Sequence, residues 1–264
     1  MGLFGNLFSK KECSVCGGEI GLLGNRKLED GNLCKNCAKK LSPWFEERRH
    51  STVEAIKQQL QYREENKTKV AQFQVTKEFG ERWRVLIDEG HRWFMITNLP
   101  DIQEANPDVV DISQLTGCRL VIDENRRELK TEDANGNSVS YNPPRYEFDY
   151  DFRMKISVRS PYFDDMDFRL NDSTVELTSE MPRNSFGLSR GFDPSYSVEY
   201  RQYKQMGDDI CEALNRLRLA ADEAKAAPAA APEAAPAANG PWTCPGCGAE
   251  NSGKFCEFCG TKRP

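Results

Sequence analysis

The stretch YEFDYDFRMKISV at residues 146–158 is the clearest strand signal in the central part of this 264-residue chain. Aromatic and aliphatic side chains occupy every second position of the stretch, and charged or hydroxyl side chains occupy the positions between them. Because alternate side chains of a β-strand point to opposite faces, this pattern predicts a long strand with one buried and one hydrated face. Met166, Phe168 and Leu170 alternate in the same way, so we predict another strand after a short turn.

Turn signals divide the sequence before this stretch into further strands. Glycine interrupts three pairs of apolar or alternating runs. The predicted pairs are 83–88 with 91–97 around Glu89-Gly90, 109–115 with 118–123 around Gly117, and two polar strands around Asn135-Gly136. Short connections of this kind are typical of antiparallel strands.

An amphipathic helix is predicted after the strands and after a loop at 178–195. Its apolar stripe consists of residues at helical spacing: Tyr203, Met206, Ile210, Leu214 and Leu217. A segment of about 150 residues buries roughly two thirds of the surface that it exposes when unfolded, so an independent core is feasible. We therefore predict an α+β domain at 70–221, an antiparallel β-sandwich that the C-terminal helix caps.

The order of these elements is similar to that of bacterial domains of the pleckstrin-homology superfold. The resemblance covers about 75–221 and is carried by the hairpin, the strand pair at 111–115 and 118–123, the later strands and the final helix. It implies a seven-stranded bent sandwich that binds proteins or membrane surfaces and rarely catalyses. Some relatives have a cationic phosphoinositide pocket, but residues 70–222 carry 19 basic and 28 acidic side chains, a net charge of −9.

Eight of the ten cysteines fall into two groups of paired CxxC motifs, with 17 residues between the pairs of the first group and eight in the second. Zinc prefers four soft donors at tetrahedral corners, and two residues between cysteines let both thiolates of a pair reach one ion. We predict two structural Zn²⁺ ions, each with four ligands. The ligands are Cys13, Cys16, Cys34 and Cys37 in the first group, and Cys244, Cys247, Cys256 and Cys259 in the second.

Other uses of the cysteines have different requirements. An iron–sulfur cluster also accepts four thiolates, whereas a thioredoxin-type redox motif needs a βαβ context that neither group has. Four thiolates leave no open coordination position, which argues against catalytic zinc. Cys118 and Cys211, in a predicted strand and the predicted helix, are expected to be buried apolar residues.

The segment around the first group resembles the N-terminal zinc-ribbon domain of unknown function found in many bacterial proteins. The resemblance covers about 12–60 and is carried by CSVCGGEIGLLG at 13–24, Asp30-Gly31 and Lys40-Leu41-Ser42, together with the second cysteine pair. It implies a bacterial protein with a zinc ribbon and gives no biochemical activity.

The segment around the second group is similar to short ribbons appended to bacterial proteins, including flotillin-like membrane-scaffold proteins. WTC at 242–244 and GKFC at 253–256 carry this resemblance. The segment is also similar to the Ran-binding-protein type of finger, although four residues separate Asn251 from Cys256 where that finger has six.

Two connecting segments complete the predicted order of domains. Ser42-Pro43 and a capping box at 51–54 predict a connecting helix, with Val53, Ile56 and Leu60 on its buried face. Ten alanines and three prolines between residues 224 and 238 predict an extended tether. The domains are a ribbon at 10–41, the helix at 42–69, the β-rich domain at 70–221, a linker at 222–241 and a ribbon at 242–264.

Composition and targeting signals narrow the function classes. No apolar run approaches the roughly 20 residues that span a bilayer, and the N-terminus lacks a secretory signal. We therefore expect a cytoplasmic location, where clustered thiols favour metal binding over disulfides. A short apolar strip, Leu3, Phe4, Leu7 and Phe8, predicts at most peripheral membrane contact.

We expect a non-enzymatic adaptor, because no catalytic constellation accompanies the carboxylates. Its partners would be proteins, one candidate being a flotillin-like membrane-scaffold protein. The expected contact residues in the tethered ribbon are Trp242, Phe258, Lys262 and Arg263, although Trp242 and Phe258 are equally suited to the ribbon's small core. The alternative is nucleic-acid binding through a basic cluster at 35–49, which we expect instead to be a solvated face because phosphate binding needs a denser footprint.

Overall fold

The computed structural model describes residues 11–179, 192–226 and 241–264, which fall into two compact units. The first unit extends to Asp222, and the second begins at Glu223. The predicted membrane strip, most of the predicted loop at 178–195 and most of the predicted tether lie outside the described residues. In the part of the chain that the structure describes, no helix is both long enough and apolar enough to cross a membrane.

The chain is a mixture of helices and antiparallel strands. The strands are β1 Lys11–Glu12, β2 Glu19–Ile20, β3 Arg26–Lys27, β4 Asn32–Leu33, β5 Lys77–Phe79, β6 Arg84–Asp88, β7 Trp93–Thr97, β8 Val110–Asp111, β9 Leu115–Glu132, β10 Ser138–Val158, β11 Asp165–Arg169, β12 Val175–Thr178, β13 Trp242–Thr243 and β14 Glu250–Asn251. The α-helices are α1 Lys35–Ala38, α2 Val53–Gln72, α3 Ile102–Ala105 and α4 Val198–Ala226.

The long strand β10 is the centre of the larger sheet. One edge of β10 pairs with β9 along most of its length, and the other edge pairs first with β12 and then with β11, all antiparallel. Apolar side chains of β10 are buried at every second position from Phe148 to Val158, which confirms the predicted strand and its buried face. The turn between β9 and β10 contains Gly136 at φ +81°, as its Asn-Gly signal predicts.

A second antiparallel sheet has the order β5-β6-β7-β8 and includes the predicted hairpin around Glu89-Gly90. Its two central strands are buried on both faces. Val85 and Phe94 belong to the main core, whereas Leu86 and Met95 pack with Val70 at the end of α2. Because both faces are covered, these strands show continuous apolar runs instead of alternation.

Helix α4 packs on the main core, with Ile210 and Leu214 fully buried, as the predicted stripe requires. Gly207 allows the close approach of this helix to β9, because a Cβ atom at that position would lie 2.7 Å from Leu120 Cδ1. An antiparallel α+β architecture is therefore confirmed, while the pleckstrin-like sandwich stays a prediction.

Three local predictions were wrong. Gly117 does not end a strand, because β9 runs continuously from Leu115 and places Gly117 opposite Ser157 of β10. The N-cap of α2 is Thr52, whose hydroxyl accepts a hydrogen bond from the Ala55 amide at 3.2 Å, whereas Ser51 donates to a preceding carbonyl. The run at 109–115 is not one strand, since a short 3₁₀ helix follows β8.

The buried face of α2 is largely polar after its first turn, a feature that the sequence pattern did not indicate. Arg63 lies within hydrogen-bonding distance of Asp108 at 2.7 Å and also donates to the carbonyls of Asn106 and Lys40. Ser42 donates to the second oxygen of Asp108 at 2.8 Å. Lys40 and Ser42 lie at the C-terminal end of the first ribbon and directly after it, whereas Asn106 and Asp108 precede β8. This network therefore joins the ribbon to the β-sheets through α2.

Candidate metal centres

The first cysteine group is assembled by two turns of different kinds. Cys13 and Cys16 lie in the connection between β1 and β2, where Gly17 adopts φ +71° and its amide donates to the Cys13 carbonyl at 2.8 Å. Cys34 is the N-cap of α1, and Cys37 lies within that helix. The four sulfur atoms all lie within 4.8 Å of one another, so the structure brings together all four predicted ligands.

Backbone amides point at the sulfur atoms of this group. The Cys34 amide donates to Cys13 Sγ and the Cys37 amide donates to Cys34 Sγ, each at 3.3 Å. Burial raises the pKa of Cys13, but the backbone N–H donors outweigh this effect and lower its pKa to about 6. A thiol with such a pKa is largely ionised at neutral pH, and the thiolate is the form that binds metal.

The first ribbon has an apolar core that it shares with α2. Leu28 and Leu33 are almost completely buried, and they pack in one cluster with Ile20, Leu41 and Ile56. Ile56 belongs to α2, as the predicted stripe of that helix requires. The ribbon is therefore held by side-chain packing as well as by its cysteines.

The second cysteine group is built from two similar turns. Gly248 and Gly260 adopt φ +76° and +73°, and their amides donate to the carbonyls of Cys244 and Cys256 at 2.8 and 2.9 Å. A glycine after each pair allows this left-handed conformation because it has no Cβ. The four sulfurs again lie within 4.8 Å of one another.

Asn251 supports this group from the adjacent strand β14. Its side chain is buried, its amide nitrogen lies 3.4 Å from Cys256 Sγ, and its oxygen accepts from the Glu257 amide at 2.9 Å. Burial raises the pKa of Cys256, but backbone donors from Phe258 and Cys259 outweigh it and lower the pKa to about 6. The sequence indicated Asn251 only as part of a motif, and the structure gives it a positioning role.

The sulfur separations fit a tetrahedral ion. Four sulfurs about 2.3 Å from a central Zn²⁺ are about 3.8 Å from one another. The Sγ–Sγ distances are 3.8 Å for Cys16–Cys34, 3.5 Å for Cys244–Cys259 and 3.4 Å for Cys247–Cys256. Each group could therefore hold one metal ion, with all four positions taken by protein sulfur.

The predicted contact residues of the second ribbon differ in exposure. Phe258, between the two cysteines of its turn, is 79% exposed, and Lys262 is also exposed, whereas Arg263 is half-buried. Trp242, for which the sequence left a contact role and a core position open, is only 9% exposed, and its indole N–H donates to the Gly253 carbonyl at 2.8 Å. Trp242 is buried because it is the largest side chain of the ribbon's small core, which also contains two of the cysteines.

Three large apolar side chains that were not predicted as contacts are also exposed in the two ribbons. Leu22 and Leu23, at the tip of the loop after β2, are 89% and 90% exposed. Phe255 of the second ribbon is 57% exposed and lies next to a metal-ligand position. The glycines that flank the two leucines were a sequence signal for a tight, solvent-exposed turn.

The basic cluster at 35–49 is partly brought together in the first ribbon. Burial lowers the pKa of Arg48, and the positive charges of Arg26 and Arg49 lower it further. Arg48 also donates to the Lys27 carbonyl at 2.8 Å. The side chains of Lys35, Lys39 and Lys40 are exposed.

Comparison with known proteins identifies one part of the chain. Residues 11–59 match a family described as a domain of unknown function (DUF4428). This match confirms the resemblance to a domain of unknown function over nearly the predicted range, which includes the first turns of α2. No curated protein and no solved structure matches the chain.

Proposed function

We propose that this protein is a non-enzymatic adaptor in which two zinc ribbons hold exposed apolar side chains in fixed positions for contact with protein partners. The proposal rests on one observation. Each cysteine group combines four converging sulfurs with large apolar side chains that extend into solvent from the same ribbon. An ion with four protein ligands has no position left for a substrate, so it acts as scaffolding and not as a catalyst.

Zinc is the proposed metal for both groups. Four thiolates in tetrahedral arrangement favour zinc or an iron–sulfur centre, and two groups of paired CxxC motifs support zinc. The apolar core of the second ribbon consists of Trp242 and two cysteines, with Ala249 packed against them. So small a core cannot stabilise a fold, whereas zinc supplies about 10–16 kcal/mol in comparable peptides.

The apolar contact surfaces are two short loops. In the first ribbon the surface is formed by Leu22 and Leu23, and in the second by Phe255 and Phe258. Single exposed apolar residues are ordinary, whereas contiguous exposed apolar surface marks interaction sites, and we propose that each pair acts as one small patch of this kind. A tether before the second ribbon would raise its effective concentration near a partner that the first unit has already bound.

The β-rich part of the first unit completes the proposal as a pleckstrin-homology-like domain with a role in protein binding. Two antiparallel sheets and a C-terminal helix packed on their shared core support this assignment. The proposed partners are cytoplasmic proteins, and a flotillin-like membrane-scaffold protein is one candidate on the strength of the C-terminal resemblance. No catalytic residue is proposed.

The test is affinity capture with the full chain and two double variants, Leu22→Ser/Leu23→Ser and Phe255→Ser/Phe258→Ser. Leu219→Ser is the matched control, because Leu219 is 57% exposed on α4, outside both ribbons. Proteins retained by the wild type and the control should be lost with one of the double variants, while the zinc content of all four proteins stays equal. Identical captures with all four proteins would contradict the proposal.

Nucleic-acid binding is the alternative function, and the mutual repulsion of the positive charges of Arg26, Arg48 and Arg49 favours it, because phosphates would relieve that repulsion. Phosphate contacts make such binding strongly dependent on salt. If the ribbon binds nucleic acid, retention on DNA or RNA should fall steeply as salt rises from about 50 to about 200 mM. The substitution Arg49→Glu should weaken retention at every salt concentration and make its dependence on salt less steep.

A further inference from the structure

Two cysteines outside the metal centres meet in the first unit. Cys118 lies in β9 and Cys211 lies in α4, 93 positions further along the chain, and their sulfur atoms are 2.6 Å apart. We propose that Cys118 and Cys211 are a reversible disulfide site, whose oxidation by a low-molecular-weight disulfide links α4 covalently to the β-sheet. This inference is independent of the proposed adaptor function.

The separation of the two sulfurs distinguishes this pair from the metal-ligand groups. Sulfurs within the two cysteine groups are 3.4 to 3.8 Å apart, as expected around a tetrahedral ion. The Cys118–Cys211 contact is about 1 Å closer than that, and it lies well inside the roughly 3.5–4.0 Å of optimal contact even between carbon atoms. No metal-binding group in the described residues includes either cysteine.

The fold explains how two short side chains reach each other. Gly207 lies one helical turn before Cys211 on α4, and Leu120 follows Cys118 by two positions on the same face of β9. The missing Cβ at Gly207 lets the helix approach Leu120 closely, since any side chain there would meet its methyl groups at 2.7 to 2.9 Å. The same close approach brings the two cysteines together.

The environment of the pair suits thiol–disulfide exchange. Both cysteines are partly exposed, and exchange requires that a small disulfide reaches one of their sulfur atoms. A hydrogen bond from the Cys118 thiol lowers the pKa of Cys211, while the same interaction raises the pKa of Cys118. Cys211 is therefore the attacking thiolate, and Cys118 is the resolving thiol.

The reaction is balanced with glutathione disulfide as the oxidant. The Cys211 thiolate attacks one sulfur of glutathione disulfide, breaks its S–S bond and releases one glutathione thiolate. Cys118, after it loses its proton to solvent, attacks the Cys211 sulfur of the mixed disulfide and releases the second glutathione. The protein loses two electrons and two protons, and one glutathione disulfide becomes two molecules of glutathione.

Peptide mapping of the full-length, zinc-loaded protein tests the proposal. After equilibration with glutathione disulfide, free thiols are alkylated and the protein is digested with trypsin, whose peptides 93–119 and 205–216 each contain one cysteine. The expected product is these two peptides joined by a disulfide, with no zinc released from the eight other cysteines. The thermal unfolding midpoint should rise by roughly 10 °C, because the link closes a loop of nearly 100 residues, and dithiothreitol should reverse the rise.

Cys211→Ser and Cys118→Ser are the matched variants, and neither should show the linked peptides or the shift in midpoint. The proposal is overturned if Cys118 and Cys211 of the wild type remain free thiols after equilibration with glutathione disulfide and are then fully alkylated. It is also overturned if each carries only glutathione. Since this result is read from the wild type, it decides the question even if a serine variant fails to fold.

Discussion

The buried ion pair between α2 and the segment before β8 offers the sharpest test of how the first unit is held together. Asp108 has no exposed side-chain surface and Arg63 has 8%, and their N–O distance is 2.7 Å. Arg63→Met keeps most of the apolar stem but leaves the Asp108 carboxylate buried without a counter-ion. Removing one partner of a buried pair costs about 3–5 kcal/mol, which is a large part of the roughly 5–15 kcal/mol of total stability.

The loss should be read from denaturant unfolding followed by tryptophan fluorescence at pH 7.5, with zinc present. Lys204→Met is the matched control, because Lys204 and Asp208 form an ion pair at the same 2.7 Å with about half of each side chain exposed. An exposed pair of this kind is worth at most about 0.5 kcal/mol. A loss of stability below about 1 kcal/mol for Arg63→Met would show that Arg63 does not compensate the buried charge of Asp108.

A second change identifies the buried charge as the cause. In Arg63→Met/Asp108→Asn the carboxylate is replaced by a neutral amide, so no unpaired charge remains. The double variant should be more stable than Arg63→Met alone, and the coupling energy of the cycle should exceed about 1 kcal/mol. Simple additivity of the two single changes would show that the charge is not responsible.

The same variant should have a characteristic pH dependence. Burial raises the pKa of Asp108, and the charge of Arg63 opposes that effect. Without Arg63 the folded-state pKa lies further above the unfolded value of about 3.9. A raised pKa means that the folded state holds the proton more tightly, so the variant should lose stability as pH rises and recover part of it near pH 5.

Three further predictions concern single residues. Gly207→Ala should destabilise the first unit by about 1–3 kcal/mol, because the new Cβ would lie 2.7 Å from Leu120. This cost should outweigh the better helix propensity of alanine. Thermal unfolding measures the change, and a stabilised variant would contradict the close packing. Asn251→Ala should weaken zinc binding by the second ribbon about 10- to 100-fold in a chelator competition, because Asn251 contacts Cys256 Sγ. An unchanged zinc affinity would show that Asn251 does not position Cys256. Burial raises the pKa of Asp88, but amide donors outweigh it and lower the pKa overall, so its contribution to stability is present above the unfolded pKa of about 3.9 and is lost as pH falls through the lower folded value. Asp88→Asn should therefore be less stable than the wild type at pH 7, and the difference should become smaller as pH falls below about 3.9. A difference in urea unfolding that does not change with pH would show that the carboxylate charge is irrelevant.

The features that the sequence predicted correctly are those with local causes. The alternation of 146–158, the Asn-Gly turn and the spacing of the CxxC pairs each depend on neighbours within a few residues, and the structure has all of them. The stripe of α4 follows from helical periodicity alone.

The features that were missed depend on partners far away in the chain. Arg63 and Asn66 have the residue types of a solvated helix face, and only the loop at 106–109 converts their positions into a buried network. Cys118 and Cys211 look like isolated apolar residues until α4 packs on β9. Periodicity gives no information on such contacts, because it reports which face is apolar and not what lies against it.

We propose that eight cysteine sulfurs hold two zinc ions in closed, four-coordinate sites. X-ray absorption at the zinc edge of the purified full-length protein, combined with elemental analysis, measures both the number of ions and their ligands. We expect two zinc ions per chain, each with four sulfurs at about 2.3 Å. Clearly fewer than two zinc ions per chain, or a shell that contains nitrogen or oxygen ligands, would contradict it.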